Sequence, residues 1–239
     1  MQTDNRISAL LLGIFIFMGL FSAGYLLGGS AIKFKEYERS VTVKGLSERE
    51  YDADIVIWPI QFTEASSSLT ELYGATESSA AKIKEYLEQS GIKPEETSLS
   101  APAITDKSAQ QYGNSERPEF RYTAVQTVTV YSKNIPVVRR VMGSLSELGK
   151  KGIAFTGGEY QTQPEYMFTR LNEVKPEMIE EATRNAREVA GKFASDSKST
   201  LGKIKKASQG QFTIEDRDKN NPHMKKVRVV STVEYYLSD

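Results

Sequence analysis

The sequence predicts an α+β fold carried behind a membrane-spanning helix. Three observations lead there. One apolar run, residues 7–27, contains no Asp, Glu, Lys or Arg. Between Ala53 and Thr162, segments of β-type alternation and of helical periodicity follow in the order strand, helix, strand, strand, helix, strand. That order is expected of a ferredoxin-like βαββαβ core, an antiparallel sheet with both helices on one face. A long helix and a β-hairpin then close the chain. The expected organisation is an anchor and short linker over 1–32 and one α+β domain over 40–239, with its core at 53–162, long helix at 176–200 and terminal hairpin at 204–237.

The run reads ISALLLGIFIFMGLFSAGYLL. As a helix it extends about 31 Å, the thickness of a bilayer's hydrocarbon core. Helix suits it because lipid offers no partner to an unpaired backbone group. Its length favours an uncleaved signal-anchor. A cleaved signal peptide has a shorter apolar region, of about 7–15 residues. Cleavage after the small residues Gly29-Ser30-Ala31 is the alternative, and would give a secreted or periplasmic protein. Arg6 precedes the run, while Lys33, Lys35 and Arg39 follow it. The excess of positive charge after the run points the body toward the cytoplasm. Arg6 and the α-amino group partly offset that excess, and charge alone does not settle the side.

The chain has 31 basic and 31 acidic residues. Zero net charge argues against a broad nucleic-acid-binding surface, which needs excess positive charge to displace counterions. With no cysteine, disulfides, Cys-ligated zinc and thiol catalysis are excluded.

The elements follow in order. Ser40 to Lys44 alternates as a short strand ending at Gly45, and charged Ser47 to Asp54 reads as the turn after it. Ala53 to Phe62 is a second strand, with Pro59 marking an edge or bulge beyond Trp58. Ser66 to Ser90 is helical, with Leu69, Leu72, Thr76, Ala80, Ile83 and Leu87 as its stripe. Gly91 sits at the C-cap position and Pro94 follows. Thr97 to Thr105 is a weaker strand broken by Pro102. Asp106 to Pro118 is an exposed loop. Phe120 to Ser132 is a strong strand. Asn134 to Leu148 is a helix with Pro136 in its first turn, striped by Val138, Val141, Leu145 and Leu148 and ended by Gly149 or Gly152. Ile153 to Thr162 is a strand bulged at Gly157-Gly158. After Gln163 to Glu173, the longest helix starts at Pro176. Its stripe is Ile179, Ala182, Ala186, Val189 or Ala190, and Phe193, and Leu201-Gly202 ends it. Ile204 to Ile214 is a strand, Glu215 to His223 a charged turn, and Lys225 to Leu237 the final strand. Val227, Val229, Ser231, Val233, Tyr235 and Leu237 share one face of that last strand.

From Ser40 to the C-terminus this pattern resembles the SIMPL-domain family of bacterial envelope proteins. The residues that carry the likeness are the turn Val43-Lys44-Gly45-Leu46-Ser47 and the approach to the next strand, Tyr51-Asp52-Ala53-Asp54. There Asp52 matches, while Tyr51 and Asp54 depart from the family pattern. Further motifs are Tyr122-Thr123-Ala124 before an alternating strand with Val128 and Val130, and the long helix spaced by Ala182, Ala186, Ala190 and Ala194. Leu201-Gly202-Lys203-Ile204 and the final strand complete the likeness. The resemblance implies a periplasmic or cell-surface location, self-association, a loose link to envelope or oxidative stress, and no established catalysis. It places the body outside the cytoplasmic membrane, against the charge count.

Candidate chemistry is sparse. His223 is the only histidine and lies beside Glu215, Asp216 and Asp218. Asp216-x-Asp218-x-Asn220 begins like a calcium loop, but Asn221 and Val227 stand where that loop needs Gly and Glu. The expected role of this segment is a solvated turn. Asp52 and Asp54 share a face on extended chain, a geometry that can bind a cation or couple two pKa values. No nucleophile motif and no phosphate or dinucleotide loop is present. Trp58, Phe62, Tyr122, Tyr131, Tyr160, Tyr166, Tyr235 and Tyr236 lie in or near strands. Aromatics on both faces of a strand need two covering partners, and a second copy of the chain supplies one.

The sequence therefore reads as a non-enzymatic, membrane-anchored envelope scaffold that assembles with itself, a ring being one form of such an assembly, and meets the bilayer through residues 7–27. No catalytic, cofactor-binding or metal-binding residues are assigned, no cofactor and no nucleic acid are expected, and no ligand is named. Two other classes stand beside this one: a peptide- or small-molecule-binding module using a groove or sheet edge, and a metal-dependent enzyme at the Asp-rich turn.

Overall fold

The computed structural model describes residues 3–37, 39–110, 119–150, 152–155 and 163–238. It is a mixed fold of helices and antiparallel sheets behind an apolar N-terminal helix, α1 (Thr3–Tyr37). Leu10–Gly28 of α1 is long and apolar enough to cross a membrane, and none of it is buried against protein. The rest forms two compact units. One comprises Met1–Glu48, Lys175–Phe212 and Arg228–Asp239; the other comprises Arg49–Val174 and Thr213–Val227.

In the first unit, β1 (Ser40–Asp52), β9 (Met224–Ser238) and β7 (Thr200–Gln209) lie in the order β1-β9-β7. The strand expected to stop at Gly45 runs on to Asp52. Gly45 acts as a packing residue, not as a turn. A Cβ there would collide with the Ala182 carbonyl and the Ala186 amide and lie 2.9 Å from the Ala186 Cβ. The strand thus touches the backbone of α5 (Leu171–Asp196). Alanines at every fourth position of α5 allow that approach. Met178, Ala182, Ala186, Ala190 and Ala194 are its buried residues, and Ala186 and Ala190 join Val43, Val233 and Tyr235 in one core. Of the expected stripe, Ala182, Ala186 and Ala190 hold, whereas Val189 and Phe193 are exposed.

Helix α5 begins five residues before Pro176, which lies inside it. Its missing N–H costs the helix one hydrogen bond, to the Asn172 carbonyl near the helix start. At its other end the Ser199 N–H reaches the Ala194 carbonyl (2.8 Å) around Lys198 at φ 55°. This left-handed turn stops the helix and sends the chain directly into β7. The stop lies before Leu201-Gly202, and those residues belong to β7.

The second unit holds β2 (Ile55–Ser66), α2 (Leu69–Gln89), β3 (Thr97–Leu99), β4 (Ala103–Asp106), β5 (Tyr122–Ser132), α3 (Ile135–Gly143), α4 (Ser146–Lys150), β6 (Glu165–Met167) and β8 (Thr213–Asp216). The sheet order is β3-β5-β2-β6, with β4 also on β5. All the described ladders are antiparallel. β2 and β5 pair without a bulge from Val56↔Ser132 to Ser66↔Tyr122, and Pro59 faces Thr129. The Thr63 N–H goes to Ala154 (3.0 Å), on the side away from β5. Pro59 has the same parity, and β6 pairs with β2 only through Ile57. Its missing N–H therefore falls where β2 is locally an edge.

Val56, Trp58, Ile60 and Phe62 of β2 and Val128 and Val130 of β5 share a core with Ala80, Ile83 and Leu87 of α2 and Ile135, Val138 and Val141 of α3. Leu72, Ile83 and Leu87 are fully buried, each contributing about 1.5–3 kcal/mol relative to exposure. Ser68 caps α2, accepting from the Glu71 N–H. Gly91, at φ 95°, ends it as expected, with the Ile92 N–H returning to the Leu87 carbonyl (3.0 Å). Asn134 caps α3. The predicted helix over 134–148 divides at Ser144-Leu145 into α3 and α4, and the Tyr86 hydroxyl holds Ser144 there (2.8 Å to its Oγ).

The weak strand over 97–105 divides into β3 and β4 around Pro102. Of the strand expected over 153–162, Phe155 bridges Phe62; the glycine bulge and Tyr160 lie outside the described residues, as does most of the 106–118 loop. β6, which the sequence reading passed over, lies at the β2 edge. The C-terminal hairpin holds in outline: β7 and β9 pair antiparallel from Thr200↔Ser238 to Gln209↔Ser231, with β8 also on β9.

Candidate functional site

The sequence candidates separate in space. Asp54 follows β1 in the turn, where its carboxylate accepts from the Thr169 N–H and hydroxyl (3.0 Å each) and pairs with Arg170 (3.3 Å). Asp52 instead offers its backbone carbonyl to Arg170 (3.4 Å). Asp54 thus serves as a clamp on the chain after β6, and Arg170 reaches both residues, through the carboxylate of Asp54 and the backbone carbonyl of Asp52.

The acidic turn after β8 is likewise committed to protein partners. Asp218 accepts from the backbone N–H groups of Asn220 and Asn221 (2.9 Å each) and from Arg217 Nε (2.9 Å). The Arg217 hydrogen bond is the main cause of its lowered pKa, while burial opposes it. Asp216 pairs closely with Lys225, whose side chain is largely buried. Among the described residues, no three of His, Cys, Asp and Glu are grouped to hold a metal.

His223 is the residue around which a site does form. Its carbonyl accepts from the Ala53 N–H (2.8 Å). Its Nε2 lies 3.0 Å from Arg139 Nη1 on α3, and its ring meets Tyr166 of β6 edge-on at 6.1 Å. A guanidinium only donates, so Nε2 accepts and the imidazole is neutral in this geometry. Burial pushes the His223 pKa down, and Arg139 and Arg217 add to that, against Asp52 and Asp218. The sequence paired His223 with its acidic neighbours; the fold gives it an arginine 84 residues away.

Arg139, Gln163, Pro164, Tyr166, Asp216, Lys219, Asn220, Pro222 and His223 line a cleft of about 750 Å³. Tyr166 is its buried floor, and Arg139, Lys219 and Asn220 are exposed. No local sequence signal marks Arg139, which reads as one more polar position on the outer face of a helix.

The family model for SIMPL, described as a protein of unknown function (DUF541), matches residues 41–234. No curated protein matches the chain. The matched span runs from the start of β1 into β9, ending four residues short of its end, and the chain belongs to the SIMPL family.

Proposed function

We propose that this protein is a single-pass, membrane-anchored scaffold of the cell envelope, with its body in the periplasm or outside the cell, and that copies assemble through sheet edges. The family membership and the bare apolar helix support the placement. Within the body, the sheet order β3-β5-β2-β6 and a core shared with α2 and α3 support a ferredoxin-like scheme in which β6 (Glu165–Met167), not the strand expected over 153–162, takes the fourth place.

The observation that carries self-assembly is β7. It is an edge strand of ten residues, and none of them is buried. An open edge presents unpaired backbone groups to another strand. Lys203, Lys205 and Lys206 make it cationic, which discourages pairing with itself. The opposite edge, β1, carries Glu48, Glu50 and Asp52 toward its end, against Lys44 and Arg49. An unlike-edge contact is head-to-tail and closes into a ring when the rotation between copies permits. Tethering to one membrane raises the effective concentration of such edges. The role in this reading is structural, without catalysis, and a part in stress defence rests on the family alone.

Placement is tested by Ser78→Cys, on α2 and away from the sheet edges. The chain has no cysteine of its own, and Ser78 is exposed. A membrane-impermeant maleimide should label this variant in intact cells after outer-membrane permeabilisation. Labelling only after lysis would put the body in the cytoplasm.

A further inference from the structure

We propose that the cleft at His223 binds a small organic carboxylate, its anionic head between Arg139 and Lys219 and its apolar body against Tyr166, Pro164 and Pro222. The charge balance of the cleft carries the idea. Among the described residues, Arg139 meets no carboxylate; its partner is the neutral His223 ring. Lys219 and the Asn220 side-chain amide likewise have no partner among the described residues. The one carboxylate in the lining, Asp216, is held by Lys225. Two cations and an amide donor therefore border one opening whose single lining carboxylate is already taken by Lys225.

A guanidinium bonded to His223 through one N–H keeps four more, and its planar fork fits a carboxylate. Lys219 adds a point charge, and Asn220 a neutral donor. The lower wall is of another character. The Tyr166 ring, two prolines and the imidazole are poor partners for water and suit a flat apolar body. A volume of about 750 Å³ lies within the ordinary range for small-molecule sites. A phosphate alone would use the cations and leave that wall unused.

His223 makes the site its own reporter. With no ligand, burial and the Arg139 charge disfavour the imidazolium. A carboxylate placed between Arg139 and Lys219 cancels that repulsion, so the histidine pKa must rise on binding. The groups that face it are Arg139 from α3, Tyr166 from β6, Asp52 from the end of β1, and Arg217 and Asp218 from the turn. By linkage, affinity increases as pH falls through the pKa of His223. The ligand itself stays ionised above about pH 5.

The test follows the ring resonances of the sole histidine by NMR in full-length protein in mild detergent. Benzoate is the probe; benzylamine and inorganic phosphate are the controls. Benzoate should saturate, raise the His223 pKa and bind more tightly than either control. Arg139→Gln should weaken it about tenfold, the scale of one charged hydrogen bond, and abolish the pKa rise. Lys219→Gln, in an exposed turn, should weaken it less and leave the rise in place. Three results would each overturn the proposal: no saturable benzoate shift, an equal shift in Arg139→Gln, or tighter binding of benzylamine or phosphate. None of these readings depends on particle size, so failure here leaves the assembly reading standing, and the reverse also holds.

Discussion

Gly45 shows how one residue can be read correctly as special and wrongly as to why. Glycine in an alternating segment suggests a turn, and the sequence ended the strand there. In the fold its lack of a side chain is used for closeness, because the backbone of α5 occupies the space of a Cβ. Gly45→Ala should lower the unfolding free energy by about 1–3 kcal/mol or more, the range for overpacking a filled core. Urea denaturation of the variant checks this; an unchanged midpoint would mean that strand and helix can separate freely. Gly91 was legible because a helix end is a local event, written in a few consecutive residues. The pairing of Arg139 with His223 was not, because nothing in either neighbourhood names the other. Periodicity reports which face of a helix is buried and is silent on which distant group an exposed position meets.

At the scale of elements, what was legible was whatever had a strong local period. β2, α2, β5, α3 and β9 emerge near their expected positions. The failures have physical causes. Pro176 reads as a helix start, but α5 begins at Leu171 and carries the proline inside it, at the loss of one hydrogen bond. β6 has only three residues, too few for alternation to show, and it exists because β2 offers it an edge. In the C-terminal half of the α5 stripe, Ala190 and not the alternative Val189 is the buried residue, and Ala194 is buried where the sequence favours the more apolar Phe193. There the demand is for small volume, not for hydrophobicity.

The junction of the Pro94–Glu96 turn with β5 gives a pH prediction. The Ser132 hydroxyl donates to the Glu96 carboxylate at 2.6 Å. That bond is the largest cause of the lowered Glu96 pKa, helped by the Lys93 N–H and opposed by burial. A carboxyl with a lowered folded pKa lends stability above its unfolded pKa of about 4, and that contribution is lost as pH falls through the folded value. Ser132→Ala should therefore reduce stability at neutral pH and move the folded pKa of Glu96 up toward its ordinary value. The difference between variant and parent should shrink below about pH 4. A stability difference that is flat with pH would show that the lost bond acts through packing alone.

For the whole molecule, the open β7 edge and the exposed side chains around it give the assembly reading its weight. Tyr235 is buried while Tyr236, on the other face of β9, is exposed, as is Ile204 across the ladder from Tyr235. On β5, Val130 is buried and the adjacent Tyr131 exposed. If β7 meets β1 of a neighbour, then Lys203→Glu combined with Lys206→Glu places like charges across that contact and should dissociate the particle at low salt.

The most direct test is the mass of the intact full-length particle in mild detergent, by light scattering corrected for bound detergent. A discrete mass several times the 26.7 kDa chain, falling toward one chain in the double Lys→Glu variant, is the result expected. A single-chain mass at every concentration would contradict the scaffold.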